Sequence, residues 1–114
     1  MQADVAHRVL GLLGLGVRSG GAVVGVELVR DAAKRGRLAL AVIAPDASRH
    51  SLAKVTPLLE AKRVRIIEGP PATELGPAVG RESTAVVGVV DRNLARGILA
   101  IVDGAPMSPT GGRV

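Results

Sequence analysis

Hydrophobic residues recur at helical spacing in two segments of the first third of the chain. Residues 4–15 carry valines and leucines at i, i+4, i+7 and i+8, which predicts an amphipathic helix that ends at Gly14 and Gly16. Residues 26–35 repeat the pattern with valine and alanine, which predicts a second helix. Gly36 follows it in the position where a left-handed residue commonly ends a helix.

Other apolar segments are continuous instead of periodic, and they have the length of strands. A run without alternation is typical of a strand that is covered on both faces. One shorter run, Ala22–Val24, is long enough only for an edge strand. The predicted buried strands are Leu38–Ala44 and Ala85–Val90, and Val64–Ile67 is predicted to be a further strand.

Three further helices are predicted from residues that begin helices. Thr56 and Pro57 have the character of an N-cap and a first helical residue, because proline is tolerated in the first turn, and this helix is predicted to run through Ala61. The other two are a short helix capped by Thr73 and a last helix capped by Asp91, namely Glu74–Val79 and Leu94–Ile101.

Helices that alternate with short buried strands predict an α/β protein, a three-layer α/β/α sandwich on a small mixed sheet of about four strands. Residues 1–102 form one predicted domain. From Asp103 the sequence turns to glycine, proline, serine and threonine, so residues 103–114 are predicted to be a disordered C-terminal tail.

The composition narrows the class of protein. The chain has no phenylalanine, tyrosine or tryptophan, so its core is aliphatic and bases cannot stack on aromatic side chains. It has no cysteine, which excludes disulfides and thiolate metal sites. No segment has the profile of a signal peptide or the length of a membrane span. We expect a soluble, cytoplasmic protein without a membrane partner.

The charge pattern indicates a phosphate-rich partner. Fifteen basic residues against ten acidic ones give a net charge of +5, and most of the cations are arginine, whose planar fork suits phosphate. Arg18, Arg30 and Lys34 flank or follow Gly25, the predicted start of the second helix. A helix start exposes backbone N–H groups, and glycine lets a bulky ligand approach them.

No pattern in the sequence predicts catalysis. His7 and His50 have no partner at metal-ligand spacing, and His50 is expected in a turn. The chain carries neither a phosphate-binding P-loop motif nor a nucleophile elbow. We therefore predict no catalytic residues, no metal and no cofactor.

Several segments together resemble the L7Ae/L30e ribosomal protein family, which binds kink-turn RNA, and in particular its bacterial YlxQ-type members. The segments follow one another in the family's order and cover roughly residues 9–102. They are SGGAVVGVELVRDAAKRGRLALAVIAPDAS, TPLLEAKRV and ELGPAVGRESTAVVGVVD.

The resemblance implies an α/β/α sandwich without catalysis that recognises RNA through two elements. One is the start of the second helix with the loop before it, and the other is the loop before the last strand, Gly80–Thr84. The partner implied is structured RNA, kink-turn RNA included, in the ribosome or associated with it. These elements together with the clustered cations give the predicted RNA-binding residues, which are Arg18, Gly25, Val26, Glu27, Arg30, Lys34, Arg81, Glu82, Ser83 and Thr84.

Three residues of the second helix depart from the family's pattern. Glu27 stands where kink-turn binders typically carry asparagine, Leu28 where they carry glutamate, and Asp31 where a lysine faces phosphate. An anion in place of a cation repels phosphate instead of attracting it. The alternative function is therefore a protein–protein adaptor on the same fold, with weak or lost RNA affinity. An enzyme acting on nucleotides or RNA is the remaining alternative, and no group of residues points to it.

Overall fold

The computed structural model describes residues 1–104, and residues 105–114 of the predicted tail lie outside them. The described chain alternates helices and strands throughout its length. In chain order the elements are α1 (Ala3–Ser19), β1 (Ala22–Val24), α2 (Val26–Lys34), β2 (Leu40–Ile43), α3 (Arg49–Ala61), β3 (Arg65–Glu68), α4 (Ala72–Ala78), β4 (Val86–Val89) and α5 (Arg92–Gly104).

The four strands form one mixed sheet in the order β1-β4-β2-β3. Strand β4 runs antiparallel to both β1 and β2, whereas β2 and β3 are parallel. The predicted sandwich on a mixed sheet of about four strands is confirmed, and β1 is an edge strand as expected. All residues of β2 and β4 are buried, which explains why their sequences are continuous apolar runs.

Helices cover both faces of the sheet. Leu40 and Val42 of β2 point to the face covered by α1, α4 and α5, and the alternate residues Ala41 and Ile43 point to the face covered by α2 and α3. The core is therefore divided into two aliphatic layers. On the α2 side, a Cβ added to Gly88 would lie 2.7 Å from Leu38 Cδ2, so this central glycine makes room for the side chains beneath α2.

The first helix does not end at Gly14 and Gly16 as predicted. It continues to Ser19 and ends at Gly20, which has a left-handed conformation with φ 84°. Both internal glycines are buried where a neighbouring element approaches closely. A Cβ on Gly14 would lie only 2.6 Å from the carbonyl oxygen of Ala78, so the glycine allows contact between α1 and α4. Gly14 is therefore explained by the packing of α1 against α4 and not by the end of the helix.

The predicted start of the third helix is also wrong. The helix begins after Ser48, whose hydroxyl accepts a hydrogen bond from the Ser51 N–H at 3.1 Å, and Pro57 lies in its interior. His50 is consequently in the first helical turn and not in a loop. Proline removes one backbone hydrogen bond. The buried side chains Val55 and Leu59 on either side of it keep the helix against the sheet.

The fourth helix takes its cap from a distant loop instead of from Thr73. It begins at Ala72, and the carboxylate of Asp46 accepts the Ala72 N–H at 2.9 Å. Thr73 is the second helical residue and is exposed. Because Asp46 is 26 positions away, no local pattern predicts this cap.

The last helix is capped as predicted but is longer. Asp91 accepts the Leu94 N–H at 2.9 Å, which confirms the cap. The helix continues to Gly104, so Asp103 and Gly104 are helical and the predicted start of the tail at Asp103 is wrong. The Asp103 carboxylate lies 2.9 Å from an Arg65 guanidinium nitrogen, and this ion pair joins the end of α5 to the start of β3.

Helices α2 and α3 end in the same hydrogen-bond motif. In α2, Gly36 is left-handed with φ 70°, as expected, and in α3 the equivalent residue is Arg63 with φ 57°. The N–H of Val64 donates to the Leu59 carbonyl at 2.9 Å, which completes the motif in α3. Arg63 is the one residue other than glycine with a positive φ among residues 1–104.

Replacing Arg63 with glycine is expected to raise the free energy of unfolding by about 1 kcal/mol, because an L-residue pays roughly this amount to be left-handed. Chemical denaturation measures it. Arg37→Gly is the control, since it removes one positive charge near Arg63 from a residue without a positive φ. This variant should be less stable than the parent protein, because glycine raises the conformational entropy of the unfolded chain. Equal stability of Arg63→Gly and the parent protein would contradict this account.

Candidate nucleic-acid interface

The start of α2 is shaped by the backbone of Gly25. This residue has φ 95° and ψ 161°, a combination that essentially only glycine adopts, and it turns the chain directly from β1 into the helix. A Cβ placed on Gly25 would meet nothing within 4 Å, so the space in front of the helix is open. No side chain caps this end. The first N–H groups of the helix therefore face outward without an intrahelical partner.

The side chains of the first turn differ in exposure. Val26 is half-buried, whereas the Glu27 side chain is 81% exposed. Leu28 is 50% exposed and presents an apolar surface to solvent. Sequence periodicity does not single out Leu28, because an apolar residue next to the buried stripe of a helix usually packs against its neighbours.

The loop before β4 is held rigidly against α4. The N–H of Arg81 donates to the Gly76 carbonyl at 2.8 Å, and the N–H of Thr84 donates to the Ala72 carbonyl at 3.2 Å. The backbone of Ser83 lies directly on Gly76, where a Cβ would come within 2.6 Å of the Ser83 nitrogen. Arg81, Glu82 and Ser83 are exposed on this fixed loop.

One carbonyl oxygen joins the two predicted elements. The oxygen of Val86 accepts the Gly25 N–H at 3.0 Å and the Thr84 hydroxyl at 3.1 Å. The start of α2 and the end of the loop 80–84 therefore lie side by side at the beginning of β4. Thr84 is only 9% exposed, so its side chain positions the loop and leaves ligand contact to the residues before it.

Two charged side chains of α2 contact Lys54 of α3. The guanidinium of Arg30 donates to the Lys54 carbonyl, and the carboxylate of Glu27 lies 3.9 Å from Lys54 Nζ. Lys54 is a neighbour of the candidate interface that the sequence pattern does not reveal, because it belongs to another helix. Asp31 pairs with Arg35 at 3.3 Å, as helical spacing predicts.

Arg18 and Lys34 occupy different places relative to this surface. Arg18 lies in the last turn of α1 and not in the following loop, and its Nη1 atom lies 3.4 Å from the position of a Cβ on Gly14. The Ala78 carbonyl borders the same position, so Arg18 lies beside the end of α4. Lys34 is the last residue of α2, about 14 Å from Gly25 at the usual rise of a helix. The structure therefore does not bring Lys34 to the start of α2.

The candidate interface combines an open helix start, a rigid loop and nearby cations. In residues 1–104 no three histidine, aspartate or glutamate side chains are grouped closely enough to hold a metal ion. Over the same residues, no helix is long and apolar enough to cross a membrane. The arrangement offers backbone donors, exposed polar side chains and one apolar side chain to a partner that lies across both elements.

Known proteins share both the sequence pattern and the fold. Residues 7–98 match the model of the ribosomal protein L7Ae/L30e/S12e/Gadd45 family. RNA-binding protein YlxQ of Bacillus subtilis is 30% identical over 92 residues, which are 81% of this chain and 92% of the relative.

Two solved structures also superimpose well. A protein of unknown function from Bacillus halodurans has a TM-score of 0.76 and 28% identity, and the match covers 84% of this chain and 97% of the other. The 15.5kD RNA binding protein of Giardia lamblia has a TM-score of 0.75 and 20% identity, and the match covers 93% of this chain and 91% of the other. At this identity the match supports the fold and nothing more.

Proposed function

Because the chain belongs to the ribosomal protein L7Ae/L30e/S12e/Gadd45 family, we propose that it is a non-catalytic, cytoplasmic protein that binds structured RNA. The observation that carries the proposal is the Val86 carbonyl, which holds the start of α2 and the loop 80–84 together as one surface. The relative from Bacillus subtilis, named as an RNA-binding protein, supports it. Ribosomal or ribosome-associated RNA is the proposed partner.

In this proposal the backbone around Gly25 approaches the RNA most closely. The outward N–H groups of Val26 and Glu27 donate to phosphate or to base edges, and the helix dipole favours negative charge at this end. Arg81 in the loop and Arg18 beside the end of α4 attract the phosphate backbone. These contacts position the RNA, and the polar groups of the first helical turn select among bases.

The first turn of α2 favours bases that present amino groups. The Glu27 carboxylate only accepts hydrogen bonds, so it suits the exocyclic amino groups of guanine, cytosine or adenine and repels phosphate. Leu28 supplies an apolar contact for a base or ribose where no aromatic side chain exists. Kink-turn RNA, in which non-canonical base pairs are exposed, is the structured RNA that we propose as the ligand.

Neutralising both cations tests the proposal. Arg18→Gln with Arg81→Gln is expected to weaken binding to a kink-turn RNA by about tenfold or more. The slope of log K, the binding constant, against log salt should also fall in magnitude by about 2, which is one unit for each lost phosphate contact. Arg8→Gln with Arg96→Gln is the matched control, because both arginines are exposed on α1 and α5. Equal weakening by the two double variants would contradict the proposed site.

A protein–protein adaptor is the second candidate function, and the exposure of Leu28 and Glu27 favours it. An apolar side chain beside carboxylates suits a protein surface better than a phosphate backbone. Binding of the parent protein to a kink-turn RNA and to a plain duplex separates the candidates, since an adaptor would bind both RNAs equally weakly. Substituting Leu28 would then impair partner binding and leave RNA binding unchanged.

A further inference from the structure

A second cationic surface lies at the other end of the sheet. Strands β2 and β3 are parallel, and Leu40 pairs with Arg65, so the chain enters both strands at the same end. Helices α2 and α3 pack against each other and lead into these strands. Their ends and the connections that follow carry six basic residues, which we call the basic end: Lys34, Arg35, Arg37, Lys62, Arg63 and Arg65.

Most of this charge is uncompensated. All six basic residues are exposed. Arg35 pairs with Asp31 and Arg65 pairs with Asp103. Lys34, Arg37, Lys62 and Arg63 have no carboxylate within ion-pair distance among residues 1–104.

The backbone at Arg63 adds a second observation. Left-handed conformation is unfavourable for arginine, and the equivalent residue at the end of α2 is glycine. The attraction of a cation to a helix C-terminus accounts for Lys34 in the last turn of α2 and for Lys62 at the C-cap of α3. This attraction does not account for Arg63, which occupies the left-handed position of the motif, where glycine is the most favourable residue. The presence of arginine there indicates a role for its exposed guanidinium.

The chemistry of the basic end fits a nucleic acid better than a protein. The exposed large hydrophobic residues of the described chain are Met1, Leu15 and Leu28, and none belongs to this end. Protein interfaces depend on buried apolar or aromatic anchors, which the basic end lacks. Contacts to a phosphate backbone need only clustered cations on an accessible surface.

We infer that the basic end is a second RNA-binding surface, which contacts the phosphate backbone of a duplex without reading its sequence. It lies at the opposite end of α2 from Gly25, so one molecule binds a structured RNA at the candidate interface and a neighbouring duplex at the basic end. The protein thereby links two RNA segments. Duplex binding at the basic end does not depend on what the candidate interface recognises, whereas the linkage of two RNA segments rests on the proposed function.

The test uses a plain RNA duplex over a salt series from 50 to 200 mM. The variant is Arg37→Gln with Arg63→Gly, which removes two unpaired cations while relieving the backbone at residue 63. We expect the slope of log K against log salt to fall in magnitude by about 2, so that the parent protein loses about tenfold more affinity across this range than the variant. The matched control is again Arg8→Gln with Arg96→Gln.

The outcomes separate this inference from the proposed function. Retention of kink-turn selectivity by the Arg37 and Arg63 variant, together with its loss of duplex binding, supports two independent surfaces. Duplex binding that is unchanged in this variant, or reduced to the same extent in the control, would overturn the inference. Failure of the Arg18 and Arg81 variant to affect kink-turn binding would instead overturn the candidate interface and leave the result with duplex unaltered.

Linking is tested directly with two RNAs. A kink-turn RNA fixed to a surface and saturated with protein is expected to retain a labelled plain duplex from solution. The Arg37 and Arg63 variant should still saturate the fixed RNA but retain severalfold less duplex. A parent protein that retains no duplex would show that the two surfaces are not occupied together, which would contradict the inferred linkage.

Discussion

Replacing Gly76 with alanine is expected to destabilise the protein and to displace the loop that forms half of the candidate interface. A Cβ at this position would lie 2.6 Å from the nitrogen and 2.8 Å from the carbonyl carbon of Ser83. These are backbone atoms, so no side chain can rotate away and the loop itself has to move. Overpacking costs about 3 kcal/mol and the better helix propensity of alanine returns about 1 kcal/mol, which leaves a net loss of about 2 kcal/mol.

Denaturation and RNA binding together measure the effect of Gly76→Ala. We expect the affinity for a kink-turn RNA to fall by at least tenfold, because Arg81 and its neighbours leave their positions. Gly11→Ala is a control of opposite sign. Gly11 lies inside α1 with nothing within 4 Å of an added Cβ, so alanine should stabilise the protein by about 1 kcal/mol. If Gly76→Ala has the stability and RNA affinity of the parent protein, the contact between Gly76 and the loop 80–84 matters for neither, and the prediction is wrong.

Replacing Gly25 with alanine is expected to remove RNA selectivity through the backbone alone. The φ of 95° and ψ of 161° are costly for alanine, by about 1–3 kcal/mol, although space for its methyl group exists. The chain would relax at this residue and weaken the hydrogen bond from its N–H to the Val86 carbonyl. The start of α2 would then no longer lie in a fixed position beside the loop 80–84.

Gly36→Ala is the matched control for this prediction. Gly36 follows the same helix at its other end, has φ 70°, and also has open space around an added Cβ. Its replacement should cost about 1 kcal/mol of stability. Selectivity for kink-turn RNA should survive in Gly36→Ala and be lost in Gly25→Ala. Loss of selectivity in both variants would mean that stability, and not the interface, controls binding.

Features that depend on neighbouring residues were predictable from the sequence. The two central strands follow from continuous apolar runs, the left-handed Gly36 from its place after a helix, and the Asp91 cap from the side chain that begins α5. Each is decided within a few residues along the chain, because the competing conformations differ in local hydrogen bonding and burial.

Features decided by packing between distant segments were not predictable. Gly14 reads as a helix end, yet the approach of Ala78 makes it a contact inside α1. Pro57 reads as a helix start, but buried residues on both sides keep α3 continuous through it. The cap of α4 comes from Asp46, and nothing local to the helix reveals it.

The candidate site shows the same division. Gly25 was recognisable from the glycine-rich turn and the helix that follows it. This turn lies beside Thr84 because β1 pairs with β4, which is about 60 residues away in the sequence, and because both residues donate to the Val86 carbonyl. Arg30 was placed in the site, whereas the structure directs its guanidinium to Lys54 of α3, a contact that only the packed helices define.

The central claim is that α2 and the loop 80–84 form a surface selective for structured RNA. It is tested most directly by measuring the affinity of the full chain for a kink-turn RNA and for a matched plain duplex over the same salt series. The account predicts at least tenfold tighter binding to the kink-turn RNA, with a preference that persists as salt rises and screens the basic charge. Equal, weak and steeply salt-dependent binding to both RNAs would contradict it.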